Sequence, residues 1–269
     1  MCSSDLTFYN EVSFTLGNGA EPADGTTLTQ GGVTATIKRT CTQSGAWGGT
    51  AAGRFIVTNP TGGNFAAGAA TIGGTTVSLS GIQTAITLTP GGKFEFFQAN
   101  LYGTTSTIRI YGADGVNRGI EFDGTVLVPI TTGTTNDQPK HVVVHKNHVL
   151  WAIRSSLVHS GTGLPYTYTA LSGAGEIAVG DTITGMLIQP GAQTTAALAV
   201  FARNTTYMLY GTGASDWNMT TYNMGFGAMD YSCQNMNDSY FMDDRGVMNL
   251  QTSLNYGNFS TAALTQNIK

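Results

Sequence analysis

From Lys93 onward the chain repeats a unit of strand, polar turn and strand, and this repeat limits the fold more than any single motif does. The first unit runs Phe94-Glu95-Phe96-Phe97, turns near Thr105-Ser106 and returns as Ile108-Arg109-Ile110-Tyr111. The second runs His141-Val142-Val143-Val144-His145, turns at Lys146-Asn147 and returns from His148 to Ile153. The third pairs Ala197-Leu198-Ala199-Val200-Phe201 with Tyr207-Met208-Leu209-Tyr210 across Arg203-Asn204. The fourth pairs Tyr240-Phe241-Met242 with Val247-Met248-Asn249-Leu250 across Asp244-Arg245-Gly246. Successive turns lie about 41, 57 and 41 residues apart. A period of roughly 40–50 residues built from paired apolar strands is that of four-stranded propeller blades. Ile120-Glu121-Phe122 with Thr125-Val126-Leu127-Val128, and Thr182-Ile183-Thr184 with Met186-Leu187-Ile188, read as the remaining strands. Residues 93–269 hold three blades and part of a fourth, so an incomplete β-propeller is expected, continuing beyond Lys269 in the intact protein.

Residues 7–92 have a different texture. Short alternating stretches at 33–37, 54–57, 76–79 and 85–88 are separated by Gly, Asn and Pro. They predict a small Gly-rich β-barrel or sandwich, closed off by Pro90-Gly91-Gly92. The whole chain is therefore read as all-β. Its 36 glycines and 10% charged residues do not suit helices, while 41% hydrophobic residues are too many for disorder. No helix of ordinary length is predicted; the best candidate, residues 261–268, is short and uncapped. Met1-Cys2-Ser3-Ser4-Asp5-Leu6 is what a common sequencing-adapter end encodes when read from a GTG start. These six residues are set aside as an artefact, and the chain is expected to be a fragment of a longer protein.

Charge and cysteine usage exclude several roles. A net charge of -4 gives no basic surplus for phosphates, which disfavours general nucleic-acid binding. Cys2, Cys41 and Cys233 form neither a disulfide framework nor a metal-ligand spacing, and reduced thiols are expected. No apolar run of about 18 residues exists to span a membrane, and the start lacks a basic stretch followed by an apolar core. So few charges suggest that much of the surface faces other subunits.

The candidate chemistry is sparse. His141, His145, His148 and His159 cluster in the sequence, but residues four apart on one strand stand about 13 Å apart, too far for one metal ion. His145 and His148 can face each other across their turn, with no third ligand evident, so structural roles are expected. Asp243-Asp244 precedes Arg245-Gly246 and reads as turn chemistry rather than a calcium loop. Glu121 and Asp123 share a strand face and form the most serious enzymatic alternative, a carboxylate pair acting on a sugar. Asp123-Gly124 is equally a hairpin turn. Gly17-Asn18-Gly19 and Gly211-Thr212-Gly213 open no helix and are not phosphate loops. Trp151 and Tyr207 read as blade core, whereas Tyr166 and Tyr168 follow a Gly-Pro loop and are expected to be exposed. No catalytic, cofactor-binding or metal-binding residue is assigned.

Several segments resemble tail structural proteins of tailed bacteriophages that carry a β-propeller. They are the stretch from Arg109 to Arg118, Glu121-Phe122-Asp123-Gly124, Leu150-Trp151 followed by Ser160-Gly161-Thr162-Gly163-Leu164-Pro165-Tyr166, and Val179-Gly180-Asp181-Thr182-Ile183-Thr184-Gly185. Phe201-Ala202-Arg203-Asn204, Leu209-Tyr210-Gly211 and Asp243-Asp244-Arg245-Gly246-Val247 continue the resemblance, which covers residues 93–269. Ser44-Gly45-Ala46-Trp47 and Ala51-Ala52-Gly53 are similar to a small β module recurring in phage virion proteins. The resemblance implies a non-enzymatic virion component, assembled in the host cytoplasm as a symmetric oligomer with other tail subunits. Its roles would be virion assembly, the DNA channel or host-surface contact, without cofactors or sequence-specific nucleic-acid binding. The alternative is a glycan-binding or glycan-cleaving propeller module acting on the host surface.

Overall fold

The computed structural model describes residues 9–103, 107–190, 196–252 and 259–263. In the N-terminal region, seven strands form one sheet: β1 (Tyr9–Gly17), β2 (Thr27–Gln30), β3 (Val33–Ser44), β4 (Ala51–Thr58), β5 (Gly68–Ile72), β6 (Thr75–Leu79) and β7 (Thr84–Ala85). The order β4-β3-β2-β5-β6-β1 is closed by pairing of β1 back onto β4, and β7 is appended to β1. This decides for a barrel over a sandwich. Register shifts between Phe14 and Gly17, and between Ile37 and Arg39, bend the long strands as closure requires. Alternation then fills the interior with Phe14, Leu28, Ile37, Phe55, Ile72 and Leu79, with the Phe14 and Phe55 rings stacked at 4.1 Å. The stretch at 85–88 shrinks to the end of two-residue β7.

Four four-stranded antiparallel meanders follow, arranged as propeller blades. The first comprises β8 (Glu95–Ala99), β9 (Arg109–Ala113), β10 (Ile120–Phe122) and β11 (Leu127–Pro129). The second comprises β12 (His141–His145), β13 (His148–Ile153), β14 (Ser156–His159) and β15 (Gly175–Ala178). The third comprises β16 (Ile183–Ile188), β17 (Leu198–Ala202), β18 (Thr206–Tyr210) and β19 (Asn218–Asn223). The fourth comprises β20 (Gln234–Met236), β21 (Asp238–Asp243), β22 (Gly246–Thr252) and β23 (Phe259–Ala263).

The four hairpins read from the sequence are present, and their uneven spacing has a structural cause. In the first two blades the hairpin is formed by the first and second strands; in the last two it is formed by the second and third. The long middle interval is one blade period plus one strand. Lys146 and Asn147 both take positive φ, as a two-residue hairpin turn demands. Two expectations change. The two strands expected over residues 182–188 are one, β16, with a register shift at Ile183/Gly185. Residues 261–263 belong to β23 rather than a helix, because they complete the fourth ladder. Ala170–Ser172 forms a 3-10 turn. The Thr105-Ser106 turn and the six adapter-like residues lie outside the described residues.

Strand alternation stacks the blades. In the second blade Val142, Val149, Trp151 and Val158 pack with the first blade, while Val143, Leu150, Ala152 and Leu157 pack with the third. Both faces are buried, so these strands read as continuous apolar runs. The third and fourth blades share Leu187, Ala199, Phe201, Phe226, Phe241 and Leu250. The barrel joins this stack through its outer surface: Cys41, Ile56 and Ile86 lie in the same core cluster as Tyr111, Ile120, Leu127 and Trp151.

Candidate functional site

The junction between barrel and first blade gathers the charges that a chain with few of them can least afford to strand. Past the register shift in β3, Arg39 and Cys41 point outward, opposite to Ile37 in the barrel core. Arg39 Nη1 donates to Glu121 Oε1 at 3.0 Å, Nη2 to Asp123 Oδ2 at 2.5 Å and Nε to Asp24 Oδ2 at 3.2 Å. Glu121 is 0% exposed. Three phenols complete its shell: Tyr166 Oη donates to Oε1 at 2.6 Å, and Tyr111 and Tyr102 donate to Oε2 at 3.0 and 3.2 Å. A carboxylate offers about four lone-pair sites, and all are taken. Burial, reinforced by the Glu121 charge, pushes the phenols of Tyr102, Tyr111 and Tyr166 upward, so they remain donors.

A second set of ion pairs lies alongside. Glu11 on β1 meets Arg54 on β4, and Arg118 Nη2 reaches Glu11 Oε1 at 2.7 Å. Arg54 Nη2 also donates to the Pro129 carbonyl at 2.7 Å. Burial raises the Glu11 carboxyl, but Arg54 and Arg118 outweigh it and hold it below the usual range. A cleft of about 470 Å³ opens beside the Arg39 hub, bordered by Asp24, Arg39, Tyr102, Arg109, Leu164 and Tyr166.

Glu121 and Asp123 are brought together by Arg39 rather than by a shared strand face or an open substrate pocket: β10 ends at Phe122, and Asp123 lies in the turn after it. Asp123 also accepts the Thr125 and Val126 amides at 2.7 Å each, closing the Asp-Gly turn. Burial raises its carboxyl, yet those amides, then Arg39 and Arg109, bring it below the usual range. The expectation of an exposed Tyr166 and Tyr168 is corrected. Tyr166 is buried on Glu121, and Tyr168 Oη accepts Trp151 Nε1 at 2.5 Å. The loop before them folds back because its two phenols are the partners that buried Glu121 and Trp151 need. Trp151 is blade core as expected; Tyr207 is partly buried against the second-to-third blade core.

His145 and His148 pair across their turn. His148 and His159 instead cluster with Trp217, the three ring pairs lying 4.7–5.4 Å apart. His148 Nδ1 donates to the Ser160 carbonyl at 2.5 Å, and Thr162 Oγ1 donates to Nε2 at 3.1 Å. Burial depresses the imidazoles of His148 and His159 and takes His145 down to about 4. Neutral imidazoles thus serve as packing rings. Among the described residues no group of three His, Cys, Asp or Glu is placed to hold a metal ion.

The remaining candidates are local. Asp243 accepts the Arg245 amide at 2.7 Å, and Asp244 pairs with Arg203 of the third blade. The amides of Thr212 and Gly213 point at the Asp216 carboxylate, 2.8–3.0 Å away, so that turn already holds its own anion. Asn18 Oδ1 accepts the Gly19 amide. Arg39, Arg54, Glu11 and Arg118 escaped the sequence reading. For Glu11, Arg39 and Arg54 the signal was a charge inside an otherwise alternating strand of a charge-poor chain, which demands a buried partner; Arg118 lies in the loop before β10 and carried no such signal.

No family model and no curated protein matches the chain. Among solved structures, it is similar to the crystal structure of an auxiliary nutrient binding protein from Bacteroides thetaiotaomicron VPI-5482, with 9% identity over 93% of this chain and 68% of that one, at a TM-score of 0.43.

Proposed function

We propose that this chain is a non-enzymatic structural component of a phage tail, contributing to virion assembly or the DNA channel alongside other tail subunits in a symmetric oligomer. The observation that carries this reading is the Arg39–Glu121 hub. The carboxylate best placed by sequence for chemistry is fully buried, and its lone pairs are committed to Arg39 of the barrel, Tyr102 and Tyr111 of the first blade and Tyr166 of the second. Such a junction holds two β modules at a fixed angle, as a part docking against symmetric neighbours requires. Exposed Phe96, Ile108 and Ile110 on the first blade add apolar surface of the kind that subunit contacts cover. The resemblance of residues 93–269 supplies the phage context. The test is immunogold labelling, with antibodies to this chain, of virions from a phage encoding it. Gold on the tail is expected; unlabelled particles, or gold confined to heads, would overturn the reading.

A second reading is a glycan-binding module of the host surface, favoured by the cleft where Tyr102 and Arg109 face Asp24. Retention of the protein on host polysaccharide, lost in Tyr102→Ala, would support it over the first.

A further inference from the structure

A cavity of about 600 Å³ opens where the first strands of the blades converge. It is lined from β8, β12 and β16 and from residues 231–235, which run into β20 of the fourth blade. Its inner wall is apolar: Val143 of the second blade and Met186 and Leu187 of the third are all buried. Close-packed interiors leave few voids larger than a water molecule. A space of this size, with apolar and aromatic walls and a few polar groups at its rim, has the form of a small-molecule site.

The aromatic walls are held in place by their surroundings. Phe94 and Phe96, two positions apart, stack at 5.3 Å with their planes 3° from parallel, and Phe96 is 55% exposed. Its ring rests on Gly112 of β9, where a Cβ would stand 2.9 Å from it. Tyr231 has a φ of 61°, unusual for an aromatic residue. That backbone turn sets its ring 5.0 Å from the His141 imidazole and brings its face to 4.2 Å from Lys93 Nζ. Asn235 ties the same segment to its neighbours, donating to the Ile188 carbonyl at 3.1 Å and accepting Ser239 Oγ at 3.0 Å.

The charges at the rim differ in what they have left to offer. Glu95 Oε2 lies 2.8 Å from His141 Nδ1, and Asp230 Oδ2 takes Lys140 Nζ at 2.7 Å. Lys93 pairs with no carboxylate among the described residues; its neighbour is the Tyr231 face. A ring face attracts an ammonium but accepts none of its three donors in the way an oxygen does. Exposed Gln234 brings an amide to the same rim. We propose that this cavity binds an apolar molecule carrying one anionic group. Its apolar body lies between the Phe94–Phe96 pair and the Met186–Leu187 wall, and its head accepts a charge-assisted hydrogen bond from Lys93. A cationic head of the same size would meet Lys93 as a like charge.

The test is calorimetric titration of the whole chain with dodecanoate below its micelle concentration, set against dodecyltrimethylammonium, the same chain with the opposite charge. Dodecanoate should fill one saturable site, and the cationic chain should bind far more weakly. Lys93→Met should weaken dodecanoate by about tenfold, the scale of one hydrogen bond to a charged group. Phe96→Ser should weaken it as well by removing half of the stacked wall. Both side chains are exposed, so the fold should survive either change, and an unaltered circular dichroism spectrum checks that. Leu171→Ser removes a wholly exposed leucine of the second blade and should leave binding unchanged. No saturable binding by the wild type, equal affinity for the two head groups, wild-type affinity in Lys93→Met, or a loss in Leu171→Ser equal to that in Phe96→Ser would each overturn the proposal.

Discussion

Arg39 of the barrel and Glu121 of the first blade meet at 3.0 Å with Glu121 wholly buried, so two modules separated by 82 positions in the chain share one desolvated ion pair. Removing Arg39 strands the buried Glu121 charge, whereas Arg39 keeps Asp123 and Asp24 when Glu121 is lost. Arg39→Met should therefore destabilise the protein by about 3–5 kcal/mol and Glu121→Gln by less, and replacing both by apolar residues should cost less than the sum of the single changes. Urea unfolding of the two single variants and the double variant checks this. Because the pair joins barrel to blade, Arg39→Met should also split a shared unfolding transition into two. Additive single and double effects would show that the hub does not couple the modules.

Acid should weaken the fold from below about pH 6.5. His145 titrates at about 4 in the folded chain because burial disfavours its charge, against an ordinary 6.5. The unfolded chain thus takes up this proton first. The stability tied to it is complete above the ordinary value and is lost as pH falls to the folded one, a contribution on the order of 3 kcal/mol. His148 and His159 are shifted the same way. Asp123 and Glu11, both held low, extend the loss below about pH 4. Thermal melting at a series of pH values should show a midpoint falling between about pH 7 and about pH 4, less steeply in His145→Gln.

The architecture was legible because strands bounded by turn residues carry their period openly. His141–His145 and His148–Ile153 were found at their true limits. β2 and β5 were missed because threonine, glycine and alanine leave each a single large apolar residue, Leu28 and Ile72, whereas β1, with Val12, Phe14 and Leu16 alternating, carried its period openly and was overlooked. The hub was half legible. Glu121 and Asp123 were singled out by spacing, but their partner Arg39 lies 82 and 84 positions away, and no local pattern encodes such a pairing. The phenols of Tyr166 and Tyr168 were misjudged because a Gly-Pro loop ordinarily runs outside. Here buried Glu121 and Trp151 draw it in.

Gly53 in β4 has no room for a side chain. A Cβ there would stand 2.0 Å from the Cys41 carbonyl oxygen across the β3–β4 ladder. The obstacle is backbone on a neighbouring strand, so no rotamer change relieves it. Gly53→Ala should destabilise by about 2–3 kcal/mol, the range for overpacking a filled interior. Chemical denaturation and the near-ultraviolet signal of Trp47, which packs on the adjoining barrel core, would report it. A neutral effect would mean that the bulged β3 shifts to accommodate the methyl.

Tyr168→Phe removes one oxygen from a partner pair with little other change in volume. Trp151 is 0% exposed, and its indole N–H donates to Tyr168 Oη at 2.5 Å. Phenylalanine would leave that N–H buried and unpaired, at about 1–3 kcal/mol. Trp151→Phe in the same background removes the orphaned donor as well, at the expense of a cavity. The hydrogen-bond term then appears as a coupling energy in the double-mutant cycle rather than in either single change. A coupling near zero would mean that the indole finds another acceptor, and that the loop carrying Tyr168 is held down by its other contacts, Tyr166 on Glu121 and Thr167 on the Thr42 carbonyl.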